Sequence, residues 1–273
     1  MKLKFVKYEK IGQVARITLS RPERTNALNG AMLDEIGEAV SASEADNDVH
    51  AVVLTGDGKA FSSGFDLKDQ MERRPTGISD WRPVLQKDFE AVVQFWHCPK
   101  PTIASVRGAC LAGAFEMSLA CDVTIASDTA FFGEPELKFG AGIVVMLLPW
   151  LVGPKIAKEI IFTGEDRLTA QRAYELGIVN RIVADDQLDE AALKLALHLS
   201  KIDPMLMRET KRAINKTFEM QGMLAALQSA LDIDLQIEGE GSPDKIRFFE
   251  IARADGLKAA LAWRDGRFAD LGR

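Results

Sequence analysis

The chain has 273 residues, 47% of them hydrophobic and 27% charged, which is enough apolar material for a packed core and excludes wholesale disorder or a collagen-like repeat. Lys plus Arg number 34 against 40 Asp plus Glu, a net charge of -6; with no dense basic stripe, nucleic acid and anionic membranes are poor candidates for the main partner. Cys98, Cys110 and Cys121 fit neither a disulfide framework nor a zinc site, and the N-terminus MKLKFVKYEK has charge but no apolar stretch behind it, so a cytoplasmic protein is expected.

In chain order, short alternating stretches from Phe5 to Ser20 around Gly12 predict an opening pair of strands. Asn29 is a good N-cap for a helix in which Met32, Leu33, Ile36, Ala39 and Val40 recur at helical spacing. AVVLT (51–55) reads as a buried strand and GDGKAFSSGFDL (56–67) as a glycine-punctuated loop. A polar stretch from Met71 to Trp81, read as a mobile lid, a pocket wall or a passive loop, precedes a second helix, WRPVLQKDFEAVVQFWH. PTIASV and VTIAS are further strands, and GACLAGAFEMSLA turns helical near Gly113. The longest apolar run, Ile143 to Val152, is half of the ~20 residues a membrane-spanning helix needs, so it is expected to be buried or to wall a pocket. Beyond Thr169 the pattern is helical apart from a strand at IVNRIV (178–183), with breaks at GEGSP and Gly256. Strand-and-helix units first and helices last predict a mixed core with an appended helical region.

No dinucleotide fingerprint, phosphate loop, nucleophile elbow or paired metal-binding histidines occur in the sequence. Two glycine loops stand out instead. Gly64 in KAFSSGFDL lets the amide of Phe65 point into a cavity, and Gly113 in GACLAGAFE sits where a helix begins and its N–H groups lack partners. Two such amides converging would stabilise a carbonyl oxygen that gains charge, although either loop alone is also a plain tight turn. Glu116 follows Gly113 by one helical turn, between Phe115 and Met117, and Glu136 follows in FFGEPELKFG, with Glu134 as a spare acid beside it. A carboxylate in apolar company is costly unless protonated, paired or functional; two ordinary surface glutamates are the plainer reading.

These residues carry a resemblance. RPERTNALNGAMLDEI, AVVLTGDGKAFSSGFDL, HCPKPTIASVRGACLAGAFEMSLACDVTIAS, FFGEPELKFG and GEDRLTAQRAYELGIVNRIV follow one another from about residue 14 to 184 in the order found in the enoyl-CoA hydratase/isomerase (crotonase) superfamily, which the chain resembles. The resemblance implies an α/β spiral of ββα repeats over residues 1–200, with a C-terminal helical region over 201–273 that serves as lid and builds trimers or pairs of trimers. It implies that Phe65 and Gly113 form the oxyanion hole and that Glu116 and Glu136 are catalytic. The acyl-CoA thioester would lie against Ala27, Leu28, Lys59, Ala60, Phe61, Ser62, Ser63, Asp66 and Leu67, with coenzyme A part of the substrate, no separate cofactor and no metal. Reversible hydration of the 2,3 double bond is the activity implied; double-bond isomerisation, another enolate reaction or a non-catalytic acyl-CoA binder are the alternatives.

The sequence also departs from the family. Phe65 stands where simple fatty-acid hydratases have alanine, Ala112-Gly113-Ala114-Phe115-Glu116 replaces G-G-G-C-E, and GAGIVVMLLPWLVG replaces a glycine-rich P-G-x-G-G segment and is about three residues shorter. Either the acyl group is not a plain straight chain or its lining is rebuilt.

Overall fold

The computed structural model describes residues 3–269. Strands β1 (Val6–Ile11) and β2 (Val14–Leu19) form the opening hairpin, and α1 (Gly30–Ala45) follows, its first turn capped by the Asn29 side chain accepting from the Met32 N–H. Next come β3 (Ala51–Gly56), α2 (Leu67–Arg73), α3 (Gly77–His97), β4 (Thr102–Val106), β5 (Ala109–Leu111), α4 (Gly113–Ala120), β6 (Val123–Ser127) and β7 (Phe131–Gly133). The remainder is α5 (Leu148–Val152), α6 (Pro154–Thr163), β8 (Leu168–Thr169), α7 (Ala170–Glu175), β9 (Arg181–Val183) and α8 (Leu188–Leu199), then α9 (Pro204–Glu219), α10 (Met223–Glu240), α11 (Pro243–Asp255) and α12 (Leu257–Gly266).

The main sheet runs β1-β2-β3-β4-β6-β9, parallel throughout except for the β1–β2 hairpin. Its central strands are buried along their whole length because both faces are covered. Val52 and Leu54 face the main core with α1 and α3, while Ala51, Val53, Ile103 and Ile125 face Leu188, Ala192 and Ala196 of α8. A second sheet has the order β5-β7-β8, and sheets covered by helices make the mixed α/β architecture that the sequence predicts. The tail closes back on the core: α10 packs along α3, and Phe248, Phe249, Ala252 and Ala260 of α11 and α12 enclose Phe139.

Two expectations need correction. Met71 to Trp81 is not a loop: it holds the end of α2, a short turn and the first turn of α3, whose Asp80 carboxylate accepts from the Thr76 N–H and hydroxyl. That polar first turn carries no apolar periodicity, so the helix reads as starting too late. The strand expected over 178–183 is only Arg181–Val183, because the N–H groups of Ile178 and Val179 turn back to the Ala173 carbonyl. The apolar run is buried, as expected, over Ile143–Val145 and at Leu147 and Leu148, and it runs into the helix α5.

Candidate active site

The first glycine loop is pinned from beneath by Asn26, which is fully buried. Its Nδ2 donates to the carbonyls of Asp57, Ala60 and Phe61, and its Oδ1 accepts from the Arg21 N–H. The Ser62 hydroxyl donates to the Asn26 carbonyl and accepts from the Gly64 N–H. Gly64, at φ 88°, lies so close to Leu111 and Ala112 that a side chain there would strike both. The second loop is equally constrained. Ala112 holds φ 57° and ψ -139° immediately before α4, and its N–H donates to the Gly133 carbonyl. Positive φ in a residue with a side chain is local strain of the sort found where a backbone amide must be aimed.

Through these contacts the two loops meet. Bridges join Leu28 to Phe65 and Ser62 to Cys110, and the Phe65 ring lies on the Cα of Gly113, filling the space a side chain there would take. The N–H groups of Phe65 and Gly113 donate no hydrogen bond among the described residues. Both features that the sequence singled out are therefore side by side, and the bulk of Phe65 is accommodated because residue 113 is glycine.

A cavity of about 410 Å³ opens beside them, lined by Ala27, Ser63, Phe65, Asp66, Leu67 and Glu136 among the expected residues, together with Ala112 and several residues not anticipated. Leu28, Ala60, Phe61 and Ser62 instead point into the interior, and Lys59 is exposed. Asp66 is engaged structurally as well, capping α2 through the Lys68 N–H and pairing with Arg21 at 2.9 Å. Arg24 and Lys68 supply cationic groups on the same wall. A larger groove of about 1190 Å³ lies against α6, lined by Ile156, Phe162 and Arg167, but neither glycine loop reaches it; convergent polar groups, rather than size, mark the smaller cavity.

Glu116 and Glu136 are both buried, so the plain surface reading is wrong, and Glu134 is no spare: it is buried to the same degree as Glu116. Every residue of α4 is buried, which leaves the Glu116 carboxyl with one partner, the Val145 N–H at 3.1 Å on Oε1, and an unpartnered Oε2. Burial, and then the charge of Glu136, hold the Glu116 pKa well above the usual carboxylate range. Glu136 is pushed up to about 8, chiefly by burial, with the neighbouring Glu134 carboxyl pulling the other way. Burial and the charges of its two neighbours raise Glu134 as well. Strand β6 and the turn after β7 thus bring together three carboxyls.

The cavity is also lined by Trp81, Leu85 and Asp88 of α3, Gly142 and Val144 of the departing segment, and Asp234, Glu238, Leu257, Leu261 and Arg264 of the tail. Trp81, Gly142 and Val144 belong to segments expected to wall the pocket; the acids Asp88, Asp234 and Glu238 were not anticipated. The signal was present in part: Asp88 sits on the buried stripe with Leu85, Phe89 and Val92, and Asp234 on the stripe with Leu227, Leu231 and Leu235. The described residues contain no cluster of His, Cys, Asp and Glu able to hold a metal ion and no helix long and apolar enough to cross a membrane.

Comparison with known proteins places the chain in a family. A putative enoyl-CoA hydratase/isomerase of Bacillus subtilis is 35% identical over 90% of this chain and 90% of its own length, and a short-chain-enoyl-CoA hydratase of Clostridium acetobutylicum is 34% identical over 88% and 90%. The crystal structure of an enoyl-CoA hydratase/isomerase from Xanthobacter autotrophicus Py2 superposes with a TM-score of 0.97 at 67% identity, covering 98% of this chain and 99% of that one. The family model described as enoyl-CoA hydratase/isomerase matches residues 9–240, and the chain belongs to that family, whose enzymes process acyl-CoA thioesters.

Proposed function

We propose that the protein is an enoyl-CoA hydratase, adding water reversibly across the 2,3 double bond of an acyl-CoA thioester. The observation that carries this reading is the juxtaposition of two unpartnered N–H groups, Phe65 and Gly113, with the buried carboxyls of Glu116 and Glu136. A 2-enoyl thioester accepts water at Cβ only if its carbonyl oxygen takes the displaced electron pair. The two N–H groups hold that enolate oxygen, and losing one such donor costs roughly 10²–10³ in rate. Glu116 and Glu136 hold the water: one takes its proton as the oxygen bonds to Cβ, and the other returns a proton to Cα. Arg24 and Lys68 receive phosphates of the coenzyme, and the thioester lies along the loop from Ala27 to Leu67.

One observation favours double-bond isomerisation as a second reading. Glu136 lines the cavity, whereas Glu116 lies behind its wall and is bonded to Val145, and an isomerase needs only one carboxylate to shuttle a proton. Following the conjugated absorbance of 2-enoyl- and 3-enoyl-CoA thioesters separates the two. Hydration is expected to fall by about 10²–10⁴ in both Glu116→Gln and Glu136→Gln; full hydration by Glu116→Gln would overturn the two-glutamate mechanism, and conversion of 3-enoyl thioesters alone would establish the isomerase.

The tail is proposed to join subunits into a trimer or a pair of trimers. Helix α9 leaves Met205, Leu206 and Ile214 exposed, with Met220 just beyond it, and apolar surface in one stretch of this kind commonly marks a subunit contact.

A further inference from the structure

The lining of the cavity contains a group that an alkyl chain does not need. Asp234 of α10 is 2% exposed, lines the cavity, and has no hydrogen-bond partner on either carboxylate oxygen. Its Oδ1 occupies the place where a side chain at position 142 would begin, so Gly142 is what makes room for it. The neighbouring buried cation, Lys245, is committed elsewhere: it pairs with Glu238 and lies over the Trp81 ring at 4.1 Å. Glu238 in turn accepts the Gly142 N–H at 3.2 Å. Facing Asp234 from α3, Asp88 is 6% exposed and lines the same cavity. A carboxyl buried without a partner opposes folding, and a wall meant only for a hydrocarbon is better made from leucine. The departure of GAGIVVMLLPWLVG from the family pattern fits this arrangement, since Gly140 and Gly142 are the positions on which α10 and α11 settle.

We propose that Asp234, with Asp88 lining the same cavity, forms a polar acyl subsite that accepts hydrogen bonds from a hydroxyl or ammonium group on the acyl chain of the bound thioester and, once ionised, disfavours a terminal carboxylate. The inference rests on the reading above only in that an acyl-CoA enters this cavity; it holds for hydration and isomerisation alike. A site built to bond a polar group discriminates strongly against the analogue that lacks it, because its own groups are then left bare, and like charge across the contact costs still more.

The test measures dissociation constants of unreactive, saturated thioesters by calorimetry on the full-length protein at about pH 9, above the values of about 7 and about 8 to which burial raises Asp234 and Asp88. Hexanoyl-CoA is compared with its 4-, 5- and 6-hydroxy derivatives, with 6-aminohexanoyl-CoA and with adipoyl-CoA. At least one donor-bearing thioester is expected to bind about tenfold or more tightly than hexanoyl-CoA, and adipoyl-CoA more weakly. The isosteric Asp234→Asn is expected to reduce the preference for the ammonium compound, and Asp234→Leu to reverse the ranking in favour of hexanoyl-CoA. Equal or tighter binding of hexanoyl-CoA by the wild type, or the same ranking in Asp234→Leu, overturns the proposal. Binding does not depend on turnover, so absent hydration with the ranking intact counts against the glutamate mechanism and not against the subsite.

Discussion

The two ends of the cavity bury carboxyls by different means. At the reaction end, Glu116, Glu134 and Glu136 fall within one span of chain, and they shift one another's pKa. At the acyl end, Asp88 and Asp234 come from helices far apart in sequence, and both oxygens of Asp234 lack any partner. Local chain geometry sets the chemistry, whereas the tail, packed onto Gly140 and Gly142, sets what that chemistry acts upon. A family can therefore keep one end while rebuilding the other.

If the acyl end is unpartnered, the protein's stability carries its mark. Burial raises Asp234 from 3.8 to about 7, with Lys245 only partly opposing it. Between those values the folded chain keeps a proton that the unfolded chain has released, so stability falls as pH rises through that window and is fully spent of this contribution above about 7. Near 1.4 kcal/mol per pH unit, the loss is on the order of 4 kcal/mol. Asp234→Asn removes this share of the dependence and leaves that of Asp88 and the buried glutamates, so its advantage over wild type grows from pH 5 to pH 8 in urea unfolding. Parallel profiles would mean that Asp234 has a partner in the folded state, and the contrast between the ends would collapse.

The same contrast explains what could be read from the sequence. The Asn29 cap, the glycine loops and the helix breaks at GEGSP and Gly256 depend on near neighbours and are legible one residue at a time. The three-residue strands β5 and β7 are not, because each exists only by pairing with a segment some twenty residues away. Glu134 looked spare for a similar reason: nothing beside it reveals that the second sheet and α4 close over it. Asp88 and Asp234 each left a trace as an acid on an apolar stripe, but a stripe cannot say that two helices turn those faces toward one cavity.

At the reaction end the expected effect is smaller and concerns pH. If Glu136 acts as the base, kcat/KM rises with pH through its pKa of about 8. The Glu134 side chain pulls the Glu136 pKa down, so Glu134→Leu is expected to move the inflection upward and to lower the rate at pH 7 by about tenfold per unit moved. Glu134→Gln still offers an N–H and is expected to leave the inflection within about half a unit. A purely structural Glu134 would lower the rate in both variants without moving the inflection in either.

The smallest effect separates aiming of the amide from stability. At φ 57° and ψ -139°, Ala112 holds a backbone conformation that only glycine adopts freely, at a cost of about 1–3 kcal/mol. Ala112→Gly relieves that cost while giving the unfolded chain about 0.4–1 kcal/mol of extra freedom. The net expectation is a gain near 1 kcal/mol, read as roughly 2 °C in Tm for a chain of this size. The Ala112 methyl also fills the space against Gly64 that brings the two loops together, so the same variant tests whether that contact aims the Gly113 amide. A gain in Tm with kcat unchanged would show that the Gly133 carbonyl and α4 hold the amide unaided. A gain in Tm with kcat falling several-fold would show that the strained methyl is what sets the distance between the Phe65 and Gly113 N–H groups.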